Sequence, residues 1–391
     1  MKKSTLLITI VIIAIIGIST WAFLPSSGEG PQGQLIPQDT VELPFTRAEG
    51  VTPFEFPRDL GAHPEYQTEW WYYTGNLTAD TGEHFGYQLT FFRRALTPSD
   101  FSSGERESAW GTNQVYLAHF AMTNVADNAF YAAERFSRGA AGLAGALPAP
   151  DAPTADYRVW IENWYVEAIA PNRYRLFATE GDRTLSLELF DAKGPVFQGD
   201  RGYSQKGPEP GNASFYYSQT RLEATGTVKI GERSFDVAGT SWKDHEYSTS
   251  ALSAGQVGWD WFSVQLDNDT ELMFFHIRRS DGSIDPFSSG TVITPDGETR
   301  KLTRDDFTID VTDTWRSPHT RAEYPAGWIV NIPGENIELE ITPYISDQEL
   351  RVSYAYWEGA VQIVGTIGET AVSGNGYVEM TGYAESMEGE F

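Results

Sequence analysis

Short runs of alternating apolar and polar residues make up most of the chain after about residue 60, and Gly, Asp, Asn and Pro separate them. A period of two is typical of a strand with one buried face, and no later segment sustains the period of about 3.6 residues of an amphipathic helix. The pattern predicts an all-β protein built of antiparallel barrels or sandwiches. The clearest predicted strands are YQLTFFRR (87–94), VYLAHFAMTN (115–124), RYRLFATE (173–180), TLSLELFD (184–191), RLEATGTVKI (221–230), ELMFFHIRR (271–279) and IELEITPYI (337–345).

One predicted strand breaks the alternation, because EWWYYTGNL (69–77) has four aromatic residues in an unbroken row. Rings then project from both faces of the strand, so either both faces are covered or one faces a ligand. The pattern returns in GWDWFSVQL (258–266), whose two Trp residues stand at the places of Trp70 and Tyr72. We expect one face of each row to fill a barrel interior and the other to pack against the second barrel.

The C-terminal parts of the two halves are also similar. YYSQTRLEATGTVKIGERSFDVAGTSWKDHE (216–246) resembles YAYWEGAVQIVGTIGETAVSGNGYVEMTGY (354–383), and Asp244 falls on Glu379. A repeat of this length indicates two copies of one domain rather than a solenoid, whose units have about 20 to 50 residues. We therefore predict a first barrel over residues 61–250 and a second over residues 251–391.

The N-terminus has the pattern of an export signal, with two lysines ahead of an apolar run over residues 6–24 that ends at Pro25. The run is near the lower limit for a bilayer span, and no clear small-residue cleavage site precedes Pro25. The sequence therefore favours a signal anchor (1–24) over a cleaved signal peptide, followed by a linker over residues 25–60. By the positive-inside rule, the rest of the chain would lie on the periplasmic or extracellular side, tethered to the inner membrane.

Composition argues against several classes of protein. The chain of 391 residues has no cysteine, so it carries no disulfide and no thiolate metal site. Its formal net charge of −26 argues against binding nucleic acid or anionic lipid headgroups, because a surface that reads phosphates needs clustered Lys and Arg. With 40% hydrophobic residues, the chain can build large cores, and its stability is expected to come from burial.

The sequence has none of the common motifs for a cofactor or a nucleophile. There is no G-x-S-x-G elbow, no P-loop and no dinucleotide-binding fingerprint. The six histidines are scattered, and the closest groupings with acids, HPE at 63–65 and DHE at 244–246, lack the spacing of a metal site. The sequence therefore predicts neither a cofactor nor a metal.

The stretch GTSWKDHEYS (239–248) is the most informative for chemistry. In a strand, Trp242, Asp244 and Glu246 share one face, so an aromatic ring and two carboxylates lie side by side. In one interpretation, Asp244 and His245 make buried hydrogen bonds or an ion pair that stabilise the barrel. In the other, burial in an apolar lumen keeps Asp244 protonated near neutral pH. It could then protonate an alkene, while aromatic faces stabilise the carbocation and water completes the addition.

Four motifs occur in a fixed order along the chain. They are E-W-W-Y-x-T-G, S-x-x-R-L-x-x-x-G, G-x-x-W-x-D-H-E and G-Y-V-E-x-T-G-Y, and they begin at residues 69, 218, 239 and 376. With these motifs the chain resembles the family of carotenoid 1,2-hydratase (hydroxyneurosporene synthase) and of attH-type exported proteins, from about residue 63 to residue 386. The resemblance implies two tandem lipocalin-like β-barrel domains and, for the hydratases, alkene protonation by the Asp of an aromatic-x-Asp-His motif.

The residues that match this motif are Trp242, Asp244 and His245, which the resemblance implies to be catalytic, with Asp244 as the acid-base group. Tyr217 is expected to join Trp242 as an aromatic wall. The chain departs from the family at one place. The pigment hydratases have a His and a Trp in the preceding strand, where this chain has Phe215 and Tyr217.

Four further residues are candidates for ligand binding because they lie in the aromatic rows or in the motif: Glu69, Trp71, Glu246 and Asp260. For Glu69 we favour the alternative of a salt bridge to Arg93, which ends the adjacent hairpin strand. For Asp260 we favour the same alternative, with Arg278 of the adjacent hairpin strand as its partner.

The sequence leaves two functions from different classes open. The first is a hydratase or isomerase that binds an apolar isoprenoid or lipid-like molecule and acts through Asp244. The second is a non-catalytic periplasmic lipid carrier that serves an ABC-type export system, as the resemblance to attH implies. The two functions differ in the role of Asp244, because only the enzyme needs this residue for chemistry.

Overall fold

The computed structural model describes residues 45–98, 108, 110–150, 152, 154–249 and 252–388. The predicted signal anchor therefore lies outside the described residues. From residue 45 onward, the described residues belong to one compact unit. None of the helices in this part of the chain has the length and apolar character of a membrane span.

The described chain is almost entirely β, which confirms the predicted fold class. It forms two curled, barrel-like sheets in which every strand pair is antiparallel. The helical elements among the described residues are short 3-10 turns at Arg58–Leu60, Arg304–Asp306 and Pro333–Glu335.

Thirteen strands form the first sheet. In chain order they are β1 (Thr68–Ala79), β2 (His84–Ala95), β3 (Gln114–Asn124), β4 (Ala129–Arg138), β5 (Ala144–Leu147), β6 (Arg158–Ile161), β7 (Trp164–Ala170), β8 (Arg173–Glu180), β9 (Arg183–Asp191), β10 (Pro195–Phe197), β11 (Tyr203–Gln205), β12 (Ala213–Ile230) and β13 (Arg233–Ser248). Their order across the sheet is β4-β3-β2-β1-β13-β12-β9-β8-β7-β6-β5, and β10 and β11 also pair with β12. The sheet encloses a core that includes Trp71, Phe85, Leu176 and Leu187.

Ten strands form the second sheet. They are β14 (Gln256–Leu266), β15 (Glu271–Arg279), β16 (Ser289–Ile293), β17 (Thr299–Thr303), β18 (Thr308–Arg316), β19 (Glu323–Ile332), β20 (Ile337–Pro343), β21 (Glu349–Arg351), β22 (Ala355–Ile367) and β23 (Thr370–Met380). Their order is β17-β16-β15-β14-β23-β22-β20-β19-β18, and β21 pairs with β22. Phe262, Phe274, Trp328 and Leu339 lie in its separate core.

Corresponding strands of the two sheets pair in the same register. Tyr72 of β1 lies opposite Asp244 of β13, and Trp261 of β14 lies opposite Glu379 of β23. The alignment of the two halves of the sequence matches these residues in the same way. The internal repeat is therefore visible in the strand pairing as well as in the sequence.

The aromatic row of β1 has rings on both faces, as its sequence predicts. Trp71 and Tyr73 lie in the core of the first sheet. Tyr72, on the other face, belongs to a cluster that includes Trp261 of the second sheet. The two ring centroids are 5.2 Å apart in an edge-to-face arrangement, which is a favourable geometry for aromatic pairs. The even-numbered face of the row therefore joins the two sheets.

Residues 45–60 fall in the predicted linker, and they pack against the first sheet. Ala48 is buried. The ring of Phe54 stacks on that of Phe197 at 5.1 Å and meets that of Tyr217 edge-on at 5.5 Å. Ordered packing against the first sheet therefore begins ahead of residue 61.

Candidate functional site

A cleft lined mainly by aromatic rings lies where the two sheets meet. It contains about 970 Å³ of unfilled space, a figure that includes the part open to solvent. Three carboxyl groups and one amine also line it, from Asp244, Glu246, Glu379 and Lys206. The principal rings of the cleft are those of Trp70, Tyr72, Tyr216, Trp259, Trp261 and Phe275. The combination of an apolar wall with a few polar groups is typical of a ligand-binding site.

Asp244 is held in the cleft wall by three hydrogen bonds. The Tyr216 hydroxyl donates to Oδ2 at 2.6 Å, and the Ser218 hydroxyl donates to Oδ1 at 2.5 Å. Trp242 Nε1 donates to Oδ1 at 2.7 Å. Ser218 lies opposite Asp244 in the β12–β13 pair. Tyr216 precedes Ser218 by two residues on β12, and Trp242 precedes Asp244 by two residues on β13, so both side chains point to the same face of the sheet as Asp244.

The pKa of Asp244 is close to neutral. Burial raises it to about 7, against the three donors, which lower it. The negative charge of Glu246 on the same strand adds to the rise. Only 4% of the residue is exposed. With a pKa near neutrality, Asp244 can both give up and take up a proton at neutral pH, as acid-base catalysis requires.

The second sheet contributes a matching carboxyl to the same cleft. Glu379 is half-buried on β23, and its Oε2 accepts a hydrogen bond from Trp259 Nε1 at 3.0 Å. Burial raises the pKa of Glu379 to about 7, and the charges of Asp244 and Glu246 act in the same direction. Two groups from different sheets can therefore exchange protons with a ligand in this cleft.

A fourth carboxyl, that of Glu358, lies behind the cleft. The hydroxyl of Tyr72, which lines the cleft, donates to Oε2 of Glu358 at 2.8 Å. Within the described part of the chain, Oε1 of Glu358 has no hydrogen-bond partner. Burial raises the pKa of Glu358 well above its usual range, and the charge of Glu379, its partner in the β22–β23 pair, acts in the same direction.

Lys206 brings a positive charge into contact with aromatic rings. Its Nζ lies 3.2 Å from Oε1 of Glu246. The same atom lies 4.4 Å from the ring centre of Phe275 and 5.3 Å from that of Tyr216. Ring faces attract cations through their quadrupoles, so the cleft already stabilises one cation in this way.

The opposite face of β13 points into the core of the first sheet, which corrects two expectations. Asp244 does not line a barrel lumen, because the residues of β13 on that side are Lys243 and His245. Tyr217 is on the lumen side too, with its hydroxyl 3.0 Å from His245 Nδ1 and 3.2 Å from Lys243 Nζ. Tyr217 is therefore not a wall of the cleft, and its neighbour Tyr216 takes that place.

The predicted catalytic role of His245 does not fit its position. Its Nε2 lies 2.8 Å from Oε1 of Glu69, inside the first sheet, and the backbone of β13 separates the ring from the cleft. Burial lowers the pKa of His245 to about 4 and that of Lys243 to about 7. His245 is therefore neutral near pH 7 and helps to fill and orient the core.

Glu69 is the centre of a buried network of charges in the first sheet. Arg93 Nε donates to its Oε2 at 2.8 Å, which confirms the predicted salt bridge. Its Oε1 lies 2.8 Å from ring nitrogens of both His63 and His245. Burial raises the pKa of Glu69, but Arg93 and His63 outweigh burial and hold the pKa well below its usual range. His63, Glu69 and His245 are close enough together to share an ion, but the Glu69 oxygens are already engaged by these donors.

Asp260 and Trp71 also lie away from the cleft lining. Arg278 Nε donates to Oδ1 of Asp260 at 3.0 Å, which confirms the second predicted salt bridge. Tyr383 donates to the other oxygen at 3.1 Å. Trp71 is in the core of the first sheet, stacked on the ring of His245 at 4.8 Å. Both residues therefore stabilise the scaffold.

Residues 47–383 match the protein family described as AttH-like. The chain belongs to this family. An AttH protein from Nitrosomonas europaea has a similar crystal structure, with a TM-score of 0.74 and 33% identity over 85% of this chain and 98% of that chain. Kievitone hydratase from Nectria haematococca has a TM-score of 0.65 and 15% identity over 88% of this chain and 99% of that chain. At that identity the second similarity shows the fold alone. None of the curated proteins matches the chain in sequence.

In this AttH-like chain, the predicted residues that line the cleft are Asp244 and Glu246, and Trp242 supports Asp244 from behind. Sequence reasoning missed Tyr216 and Glu379 as parts of the site. A signal for Glu379 was present, because the repeat aligns it with Asp244. Tyr216 required the register of the β12–β13 hairpin, since a shift of one residue would have put Tyr217 beside Asp244 instead.

Proposed function

We propose that this AttH-like protein is a hydro-lyase, which adds water to a carbon–carbon double bond of an apolar, isoprenoid- or lipid-like molecule or catalyses the reverse reaction. The observation that carries the proposal is Asp244, a buried carboxyl with a pKa of about 7 in an aromatic cleft. The fold shared with kievitone hydratase, a hydratase by name, is in accord with it.

The geometry of the cleft fits such a reaction. In the hydration direction, a carboxyl proton passes to one alkene carbon, and a carbocation forms at the other. Ring faces next to the carboxyl stabilise this cation, and the hydrogen bond of 3.1 Å from Trp261 Nε1 to the Tyr216 hydroxyl orients two of them. Water then forms the carbon–oxygen bond, and its surplus proton returns to a carboxylate. One alkene and one water are consumed, and the acid is regenerated.

A non-catalytic lipid carrier, as expected for a periplasmic component of an ABC-type export system, is the second candidate. The aromatic wall favours it, since such a wall binds an apolar molecule whether or not chemistry follows. A carrier has no need of a carboxyl that titrates near neutral pH. The role of Asp244 therefore distinguishes the two functions.

The test begins with organic extraction of the natively purified protein and mass spectrometry of the extract. The recovered molecule, and geraniol as a small trisubstituted alkene probe, are then incubated with protein in heavy-oxygen water. A hydratase forms an alcohol that contains the heavy oxygen. We expect Asp244→Asn to bind the molecule but to form less than about one hundredth of the alcohol, whereas the control Asp310→Asn, at an exposed position of β18, forms as much as the native protein. An unchanged rate in Asp244→Asn would exclude the hydratase mechanism, and a bound lipid that never reacts would favour the carrier.

A further inference from the structure

Asp244 and Glu379 occupy equivalent positions in the two sheets. Each lies in the final long strand of its sheet, and each faces an aromatic residue of the neighbouring strand, Tyr72 or Trp261. Both side chains line the same cleft. The repeat has therefore brought one carboxyl from each half of the chain to a single site.

The two carboxyls differ in the number of groups that donate to them. Asp244 accepts three hydrogen bonds, two from hydroxyls and one from an indole. In the described part of the chain, the side chain of Glu379 accepts one, from Trp259. Donors stabilise a carboxylate relative to the protonated acid. By the count of protein donors, Asp244 is therefore the better prepared of the two to be ionised, and Glu379 is the better prepared to hold a proton.

The surrounding groups favour a single proton on this pair. Glu246 has its own cation, because Lys206 Nζ lies 3.2 Å away. Burial raises the pKa of Glu358 well above its usual range and the pKa of the phenols of Tyr72 and Tyr216 well above 10. Two like charges that line one cleft repel each other, and the charge of Asp244 raises the pKa of Glu379. Near neutral pH, the most stable arrangement is therefore one carboxylate and one carboxylic acid.

We propose that Asp244 and Glu379 form one acid-base pair that shares a single proton, with Glu379 as the proton donor and Asp244 as the proton acceptor in hydration. This assignment rests on the proposed function. The O–H bond of Glu379 breaks as a C–H bond forms on the alkene. Water then forms a C–O bond to the cation, and its proton passes to Asp244. Transfer of that proton to Glu379 restores the pair, and in dehydration the two roles exchange. The second sheet thus supplies half of the catalytic machinery.

The first experiment needs no ligand. Protein with carbon-labelled Asp and Glu carboxyls is titrated by NMR as the native chain and as the variants Asp244→Asn and Glu379→Gln. We expect Asp244→Asn to lower the pKa of Glu379 by about one unit or more, because a neighbouring negative charge is gone. Glu379→Gln should leave the titration of Asp244 almost unchanged, since Glu379 is neutral while Asp244 ionises. The control Glu340→Gln, at an exposed position of β20, should change neither. Independent titration of the two groups would overturn the pair, and the reverse asymmetry would overturn the assignment of roles.

The second experiment follows hydration of geraniol in deuterium oxide, where the acid delivers deuterium to carbon. We expect Asp244→Asn and Glu379→Gln each to lose about 100-fold or more of the rate, and Glu379→Asp, which keeps a carboxyl, to recover part of it. If Asp244→Asn were inactive and Glu379→Gln fully active, the proposed function would stand and the pair would not. If the native protein left geraniol unchanged, hydration of this probe would be excluded, and the NMR titration would still decide whether the proton is shared.

Discussion

Replacement of Asp244 by Asn tests the electrostatics of the cleft through protein stability. Burial raises the pKa of Asp244 from 3.8 to about 7, so the folded protein keeps this proton over a pH range in which the unfolded chain has lost it. The stability due to this group is therefore greatest below the unfolded pKa, falls as the pH rises to about 7, and is constant above that. At about 1.4 kcal/mol for each pKa unit, the full decrease is about 4 kcal/mol.

Asn has the shape of a protonated Asp and does not ionise, so the variant should lack this decrease. Below the unfolded pKa we expect it to be less stable than the native protein by about 1 kcal/mol, because its amide cannot accept all of the present hydrogen bonds. At pH values above about 8 we expect the order to reverse, by as much as about 3 kcal/mol. Urea unfolding followed by tryptophan fluorescence across this pH range measures both differences.

The comparison with Asp310→Asn shows whether loss of any carboxylate has such an effect. This residue is exposed on β18, and we expect its substitution to leave the pH dependence of the unfolding free energy unchanged. If Asp244→Asn and the native protein lost stability in parallel from acid to alkaline pH, Asp244 would have the same pKa in the folded and unfolded chains. The cleft would then be well solvated, and the reasoning from burial would be wrong.

Three further substitutions test the hydrogen bonds and charges around the site. Tyr216→Phe removes one donor from Asp244 and should raise the pKa of this carboxyl further, at a cost of about 1 kcal/mol in stability; NMR titration and urea unfolding measure the two effects. Arg93→Ala leaves the buried Glu69 without its guanidinium and should destabilise the protein by about 3 kcal/mol, seen as a lower midpoint of urea unfolding. Burial lowers the pKa of His63, but Glu69 and a further carboxylate outweigh burial and raise it from 6.5 to about 9. The stabilisation by protonated His63 is complete below pH 6.5 and is lost as the pH rises through 9. The unfolding free energy of the native protein should therefore fall by about 3 kcal/mol over this range, and His63→Gln should remove this fall. An unfolding free energy of the native protein that is flat from pH 6 to 10 would contradict the last expectation.

The two salt bridges, Glu69–Arg93 and Asp260–Arg278, show which tertiary contacts the local sequence pattern can predict. Glu69 and Arg93 stand on the two strands of one hairpin, so the length of the connecting turn sets their opposition, and the sequence predicts the pair correctly. Asp260 and Arg278 also stand on the two strands of one hairpin, but they are two positions out of direct opposition, since Asp260 faces His276 and Arg278 faces Gly258. By contrast, the contact of Glu69 with His245 joins positions 176 residues apart in the chain, and no periodicity indicates it.

The sequence by itself determined the strands, the repeat and the set of residues that share a face with Asp244, because a strand places alternate side chains on opposite sides whatever surrounds it. Which side faces the other sheet was decided only by the tertiary structure. Both faces are buried along residues 241–248 of β13 and 213–220 of β12, so hydrophobic pattern could not separate lumen from cleft, and Tyr217 was placed on the wrong side for this reason. The partnership of Asp244 with Glu379 depends on how two separately patterned sheets pack, a contact that strand periodicity does not encode.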